Sequence, residues 1–144
     1  MPSLFSAFII EEKQGGGSMA AFDRVKSGIP AMDQALDYIR LGDNVVLQVS
    51  RMEEFCFFVE PYVRQAKEDG RNLIYFRFAG HAPLVKEEDA KRYCLDPGEG
   101  FEQFTVKVHR IIEKEGYDAF YVFDCLSELQ EVWAADLMMG NFFR

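Results

Sequence analysis

The sequence has few cysteines, a shortage of basic residues and no long apolar run. Its 3 cysteines are widely spaced and form no CxxC pair, so nothing indicates a zinc module or a disulfide scaffold. The 16 basic residues are outnumbered by 24 acidic ones, and the net charge of -8 disfavours binding to a nucleic-acid backbone. No run approaches the roughly 18 apolar residues that cross a bilayer, and the N-terminus lacks a basic signal-peptide start. We therefore expect a soluble cytoplasmic protein with no nucleic-acid or membrane partner.

The chain divides into a leading peptide, residues 1–18, and one domain, residues 19–144. The glycine-rich residues 15–18 have the composition of a flexible linker, and Met19 follows them as a second start. We interpret the leading peptide as an engineered fusion. Its apolar run, residues 4–10, is expected to pack onto the domain or to add a strand to it, with a disordered leader as the alternative.

Apolar periodicity predicts alternating strands and helices. Runs rich in valine, phenylalanine and tyrosine predict the strands, which cover residues 45–49, 73–78, 93–95 and 119–123. Apolar residues at steps of three and four predict the helices, which lie within residues 22–42, 54–69, 101–115 and from 126 onward. Such alternation implies parallel strands joined by right-handed crossovers. We therefore predict an α/β fold, a three-layer sandwich with a mostly parallel sheet.

Local composition adds three expectations. The valine-rich run at residues 45–49 predicts a strand that is buried on both faces. Pro61 lies inside the second predicted helix and is expected to kink it or to weaken a turn. Residues 138–143 hold four large apolar side chains, a patch that would favour self-association, so we expect a homo-oligomer.

Two stretches of sequence flank the unit formed by the strand at residues 45–49, the helix that follows it and the strand at residues 73–78. The first reads RVKSGIPAMD over residues 24–33 and continues with Leu41, Gly42 and Asp43, and the second reads YDAFYVFDCLSEL over residues 117–129. In this order, the two resemble the start and the Walker B strand of the KaiC-like branch of the RecA-type P-loop ATPases. The resemblance spans residues 22–130. It implies a truncated RecA/KaiC-like P-loop fold in which Asp124 stands at the position of the magnesium-linked aspartate.

The phosphate loop of that family falls on a turn without glycine or lysine. Its residues here are Ser50, Arg51, Met52, Glu53, Glu54, Phe55 and Cys56. A phosphate loop needs glycines so that backbone N–H groups can converge on the phosphates, a lysine to neutralise charge, and a Ser or Thr for magnesium. The resemblance puts Phe55 at the lysine position and Cys56 at the Ser/Thr position. Glu53 and Glu54 would face the phosphates, and like charges about 4 Å apart repel by about 4 kcal/mol at a dielectric of roughly 20.

The catalytic glutamate of the family is also missing. KaiC-like ATPases place it after the second strand, where this chain has Ala79 and Gly80. We interpret His81 as a surface residue and Asp124 as a group bonded to the backbone at a helix start, rather than as a metal ligand. We therefore expect no catalytic residue, no metal and no cofactor.

A RecA-type sheet normally inserts a later strand between its Walker A and Walker B strands, and the chain stops at Arg144 before such a strand. A gap there would leave backbone N–H and C=O groups unpaired in the core. Residues 4–10 could fill it, and a strand exchanged with a second copy is the alternative.

These features favour a catalytically inactive RecA/KaiC-like module, a pseudo-ATPase. Such a module would serve protein interaction, oligomerisation or regulation. The chain also resembles the N-terminal KaiC-like module of bacterial phosphoenolpyruvate synthases and PEP/pyruvate-binding proteins, which implies a role within a multidomain protein of that kind. The alternative is a nucleotide-binding ATPase or kinase-associated domain that binds ATP and magnesium through a rebuilt phosphate site, using Arg51, Lys67 or Arg71.

Overall fold

The structure, a computed structural model, describes residues 4–10 as a backbone strand and residues 24–40, 42–78, 80–116 and 119–133. The strands are β1 (Leu4–Ile10), β2 (Arg24–Val25), β3 (Ile39–Arg40), β4 (Asn44–Val49), β5 (Asn72–Arg77), β6 (Lys91–Cys94) and β7 (Ala119–Asp124). The helices are α1 (Pro30–Leu36), α2 (Met52–Glu68), α3 (Phe101–Glu115) and α4 (Leu126–Trp133). The apolar cluster predicted at residues 138–143 lies outside the described part of the chain.

The main sheet has 5 strands in the order β4-β1-β7-β5-β6. Strands β7, β5 and β6 are parallel, which confirms a mixed α/β fold with a three-strand parallel portion. Strand β1 runs antiparallel to both of its neighbours, so β4 and β7 point in the same direction. Their carboxyl ends therefore lie at one edge of the sheet, where α/β proteins place their ligand sites.

Strand β1 fills the gap that the sequence predicts between the strand at residues 45–49 and the strand at residues 119–123. Its register places Ser6 opposite Leu47 on one side and opposite Asp124 on the other. The backbone groups on the facing sides of β4 and β7 are thereby paired within one chain. The expectation that the leading peptide adds a strand is confirmed.

Helices cover both faces of the sheet. One buried cluster joins the apolar side of α2 to β5 and β7 through Phe55, Tyr62, Tyr75 and Val122. The opposite cluster joins α3 and α4 to the other side of the same strands and includes Phe76, Phe104, Phe123 and Leu129. Because neighbours along β5 and β7 alternate between the two clusters, both strands are buried on both sides.

Strand β4 differs from the prediction. It was expected to be buried on both faces, yet Val46 is 52% exposed and Gln48 is also exposed, whereas Val49 is buried. The reason is its position, since β4 is the last strand in the sheet order and α2 lies against it. A valine-rich run therefore reflects strand propensity here and not a central place in the sheet.

The first predicted helix is also shorter than its periodicity indicates. Helix α1 ends at Leu36, and Asp37 and Tyr38 adopt φ values of 53° and 66°, which redirect the chain into β3. Ile39 is consequently buried in a short hairpin with β2 and not on a helix face. The motif before α1 is held by Asp33, whose Oδ1 accepts the N–H of Ser27 at 2.8 Å.

The remaining helices follow the prediction more closely. Helix α3 has the expected bounds, and its inward residues Phe104 and Val108 are buried. Helix α2 continues through Pro61 without interruption. Proline removes the N–H that would bond to the carbonyl of Phe57, and the exposure of Phe57 leaves that side of the helix open to water. Among the described helices, none has the length and apolarity to cross a membrane.

Candidate functional site

The turn between β4 and α2 binds a carboxylate that belongs to the chain itself. The Oε2 atom of Glu54 accepts the backbone N–H of Ser50 at 2.8 Å and that of Arg51 at 3.4 Å. These donors precede the first turn of α2, where the helix dipole favours negative charge. The carboxylate therefore satisfies N–H groups of the turn in the manner of an external anion.

The other residues of this turn point to packing or to solvent. Phe55 is fully buried in the core beneath α2, so the position expected for a phosphate-binding lysine holds an inward aromatic ring. Met52 also packs against that core, and Cys56 is half-buried. Glu53 is exposed. The site therefore has no cation at the position that the family resemblance assigns to lysine.

The cation nearest in sequence, Arg51, does not point into the turn as a phosphate ligand would. Its side chain is 74% exposed, and its Nε lies 3.8 Å from Oε1 of Glu54. Arg51 is therefore an exposed residue whose side chain pairs with a neighbouring glutamate. An exposed pair of this kind contributes little to stability, on the order of 0.5 kcal/mol.

Lys67 and Arg71, the other cations considered for a rebuilt phosphate site, lie at the opposite end of α2: Lys67 is in its last turn and Arg71 follows the helix. Lys67 is fifteen residues from the start of the helix, a separation of about 22 Å. Its Nζ binds Asp89 at 2.7 Å. Arg71 pairs with Asp69, donates to the carbonyl of Lys26 and lies over the ring of Phe120. The structure does not bring the three cations together.

Asp124 lies fully buried at the carboxyl end of β7, where two side chains hold its carboxylate. The hydroxyl of Tyr75, on the adjacent strand β5, donates to Oδ2. His81 Nε2 lies 2.9 Å from Oδ1 and 3.0 Å from Oδ2. The expectation that Asp124 bonds to the backbone at a helix start is therefore wrong, because the neighbouring strand supplies a hydroxyl and the following loop supplies an imidazole.

Tyr75 links this carboxylate to the loop that follows β5. Its oxygen accepts the N–H of Leu84 at 3.2 Å while its proton is donated to Asp124. Burial raises the pKa of Tyr75 well above its ordinary value, and the negative charge of Asp124 raises it further. The hydroxyl thus remains a proton donor at neutral pH, which a buried carboxylate requires.

His81 occupies the loop in which the family places its catalytic glutamate. Its side chain is 21% exposed, so it is a partly buried partner of Asp124 and not the surface residue that the sequence predicts. Within the described part of the chain, no group of three or more His, Cys, Asp or Glu residues is placed to hold a metal ion. Asp124 is thus a buried carboxylate in contact with a phenol and an imidazole, and its Oδ1 atom has no hydrogen-bond partner among the described residues.

Arg77, like Asp124 beside it, has a buried polar atom whose hydrogen bonding is incomplete. It ends β5 and occupies the register position beside Asp124, and its Nη1 atom is buried without a hydrogen-bond partner. Sequence reasoning missed both Arg77 and Tyr75. The available signal was a phenol and a guanidinium two residues apart in an otherwise apolar strand, which places both on one face.

No family model, no curated protein and no solved structure matches the chain. Its function is therefore inferred from the geometry of the described residues.

Proposed function

We propose that the chain is a RecA/KaiC-like module that has lost nucleotide binding and acts through protein contacts. The observation that carries the proposal is the bond from Glu54 Oε2 to the N–H groups of Ser50 and Arg51. In a working phosphate loop such N–H groups would bind a phosphate. Here the carboxylate of Glu54 accepts their hydrogen bonds. Because Glu54 belongs to the same chain, its effective concentration at this turn is always high.

Electrostatics opposes nucleotide at the same place. A phosphate entering the turn would have to displace Glu54 and would then lie near two carboxylates, those of Glu53 and Glu54. No lysine offsets that repulsion, because Phe55 is buried in the core. The missing lysine and the added negative charge both weaken phosphate binding. We therefore do not expect even weak nucleotide binding at this turn.

Asp124, which stands at the position of the magnesium-linked aspartate, is also bonded within the chain. Its carboxylate contacts Tyr75 and His81. Freeing that carboxylate for a hydrated magnesium ion would leave the buried phenol of Tyr75 without its acceptor. Ala79 and Gly80 stand where the family has a glutamate base. The proposal therefore extends to catalysis, since neither phosphate binding nor water activation has its usual group.

The sheet order supports the finer assignment to a RecA-like fold. Two strands with the same direction, β4 and β7, are separated by one inserted strand, the arrangement that the family resemblance implies for its Walker A and Walker B strands. The insert here is antiparallel and comes from the N-terminal peptide. We infer that the module works by contact with other proteins, within a phosphoenolpyruvate-synthase-like multidomain protein or as a homo-oligomer.

Calorimetric titration of the full chain with ATP and magnesium tests the proposal. We expect no saturable heat up to millimolar nucleotide, because the backbone donors of the turn are already bonded. Saturable binding would overturn the proposal and favour the alternative of a rebuilt nucleotide site. In that case the Arg51→Ala variant should lose binding, because Arg51 is the only cation within the turn at residues 50–56.

A further inference from the structure

We propose that the outer edge of β4 pairs with β4 of a second copy of the chain, so that two sheets join across a two-fold axis. The two strands would run antiparallel, with Leu47 of each copy opposite Leu47 of the other. The inference rests on the proposed interaction role and deepens it, because it names the surface and the partner. It concerns the outer edge alone, since β1 already pairs with the inner edge of β4.

Strand β4 ends the main sheet with one side unpaired. Among the described strands its only sheet neighbour is β1, in the order β4-β1-β7-β5-β6. Val46 is 52% exposed, and Asn44 and Gln48 are exposed as well. An edge strand of this kind presents a row of backbone N–H and C=O groups that can bond to a strand of another chain.

The two edges of the sheet differ in how strongly they discourage such pairing. At the far edge, β6 has four residues, KRYC, and two of them are basic. Charged side chains and short length are the usual protection of an edge strand. Strand β4 has six residues, NVVLQV, with no charge and no proline. The edge that is open to pairing is therefore the one formed by β4.

Charge next to β4 favours a second copy in the antiparallel direction. Asp43 immediately precedes the strand and Arg51 follows it by two residues, each four positions from Leu47. Antiparallel pairing centred on Leu47 therefore brings Asp43 of each copy opposite Arg51 of the other. A parallel copy would instead bring like charges together at both ends. The two charges thus select both the direction and the register of the pairing.

Both charged side chains are accessible to a second copy. Asp43 is exposed, and its Oδ2 accepts the backbone N–H of Arg40 at 2.9 Å, which fixes the carboxylate beside the start of β4. The Arg51 side chain is 74% exposed, and its contact with Glu54 at 3.8 Å is long and open to solvent.

The register also keeps the two faces of the joined sheet matched. Residues opposite each other in an antiparallel pair lie on the same face. Centring on Leu47 sets Val45 opposite Val49 on the face that α2 covers, and Val46 opposite Gln48 on the exposed face. All of these side chains are uncharged, so the pairing places no charge between the two copies of β4.

Sedimentation equilibrium of the full chain at low salt tests the pairing. Six residues of one strand form a small interface, so we expect a reversible dimer with a Kd on the order of 10 to 100 micromolar. Asp43→Arg and Arg51→Glu should each weaken dimerisation about tenfold, because each makes both symmetry-related pairs repulsive. The double variant Asp43→Arg/Arg51→Glu should recover the parent's affinity. High salt should reduce these differences, since the charges are exposed.

Matched controls separate the pairing from net charge and from folding. Glu113→Lys and Arg110→Glu make the same changes in net charge at exposed positions of α3, and both should dimerise as the parent does. Asp43→Asn keeps an acceptor for the Arg40 N–H and loses only the charge, so it should weaken the dimer about threefold. This variant tests the charge even if Asp43→Arg fails to fold.

Any of four results would overturn the inference. The parent chain could remain a monomer at millimolar concentration, or it could form an assembly larger than a dimer, which one two-fold contact does not build. The single reversals could dimerise as the parent does, as a dimer joined through the apolar residues 138–143 would. The double variant could be no tighter than the single ones. None of these results involves ATP, so the titration of the proposed function succeeds or fails separately.

Discussion

Glu54 Oε2 lies 2.8 Å from the backbone nitrogen of Ser50, four residues earlier in the chain. The contact closes the turn between a strand and a helix with a carboxylate of the same molecule. It also removes the N–H donors that give helix N-termini their affinity for phosphate. One interaction thus stabilises the start of α2 and argues against nucleotide binding, and the two effects can be measured separately.

Replacing Glu54 by alanine should lower the free energy of unfolding by about 1 kcal/mol, since a charge-assisted bond at a helix start is lost. Glu54→Gln keeps an acceptor oxygen and should lose about half as much. Urea unfolding followed by circular dichroism measures both values. The control is Glu53→Ala, which removes an exposed carboxylate of the same helical turn. Equal losses for Glu53→Ala and Glu54→Ala would contradict a specific role for the Ser50 contact.

Tyr75→Phe should lower the free energy of unfolding by about 1 to 3 kcal/mol, because the buried carboxylate of Asp124 loses a donor without gaining water. The matched control is Tyr38→Phe, a half-buried tyrosine whose hydroxyl makes no hydrogen bond to another described residue, and it should change stability by less than about 0.5 kcal/mol. A double-mutant cycle with His81→Ala should show coupling, since both residues bind the same carboxylate. Additive effects would mean that the two donors act independently.

Gly28→Ala should destabilise the protein by about 2 to 4 kcal/mol. Gly28 has a φ of 87°, and a Cβ atom built there would come within 2.2 Å of the carbonyl oxygen of Pro61 on α2. The matched control is Gly80→Ala, because a Cβ at Gly80 meets nothing within 4 Å. Thermal unfolding of the two variants gives the comparison. If the Gly28→Ala protein were as stable as the Gly80→Ala protein, the backbone at Gly28 would not pack closely against Pro61 of α2.

Glu115 should make stability depend on pH in acid. Hydrogen bonds from Lys91 and then from Tyr93 lower the pKa of Glu115 from 4.5 to about 2. Because the folded pKa is depressed, the stabilisation is present above pH 4.5 and is lost as pH falls toward 2. The Glu115 side chain is 5% exposed but Lys91 is 59% exposed, so solvent screening reduces the effect to on the order of 1 kcal/mol.

The measurement for Glu115 is urea unfolding at pH 6 and pH 3, with Glu115→Gln beside the parent. The variant should be less stable than the parent at pH 6 and should approach it at pH 3. Glu113→Gln, which alters an exposed residue on the same helix, should show the parent's pH dependence. A gap between parent and Glu115→Gln that stays constant across this range would contradict the depressed pKa.

Much of the fold was predictable from the sequence because long elements carry a strong periodic signal. The bounds of α3, the extent of β7 and the buried stripe of α2 all follow from apolar spacing. The β2–β3 hairpin was missed, since strands of two residues have no period to detect. The exposure of β4 was missed because sequence does not say which strand ends a sheet.

The site was predictable in part. The loss of glycine and lysine from the turn at residues 50–56 is visible in the sequence, and Glu54 could be placed near the missing phosphates. Its bond to Ser50 depends on a rotamer that spacing alone does not give. The grouping of Tyr75, His81 and Asp124 depends on which strands are neighbours, so it becomes evident only when β5 is known to lie beside β7.

The most direct test of the central claim follows the amide resonances of Ser50 and Arg51 by NMR while ATP and magnesium are added to the full chain. Because Glu54 already occupies these donors, we predict that both resonances keep their positions up to millimolar nucleotide. Saturable shifts of both amides would show that a phosphate displaces the carboxylate, and that result would contradict the account.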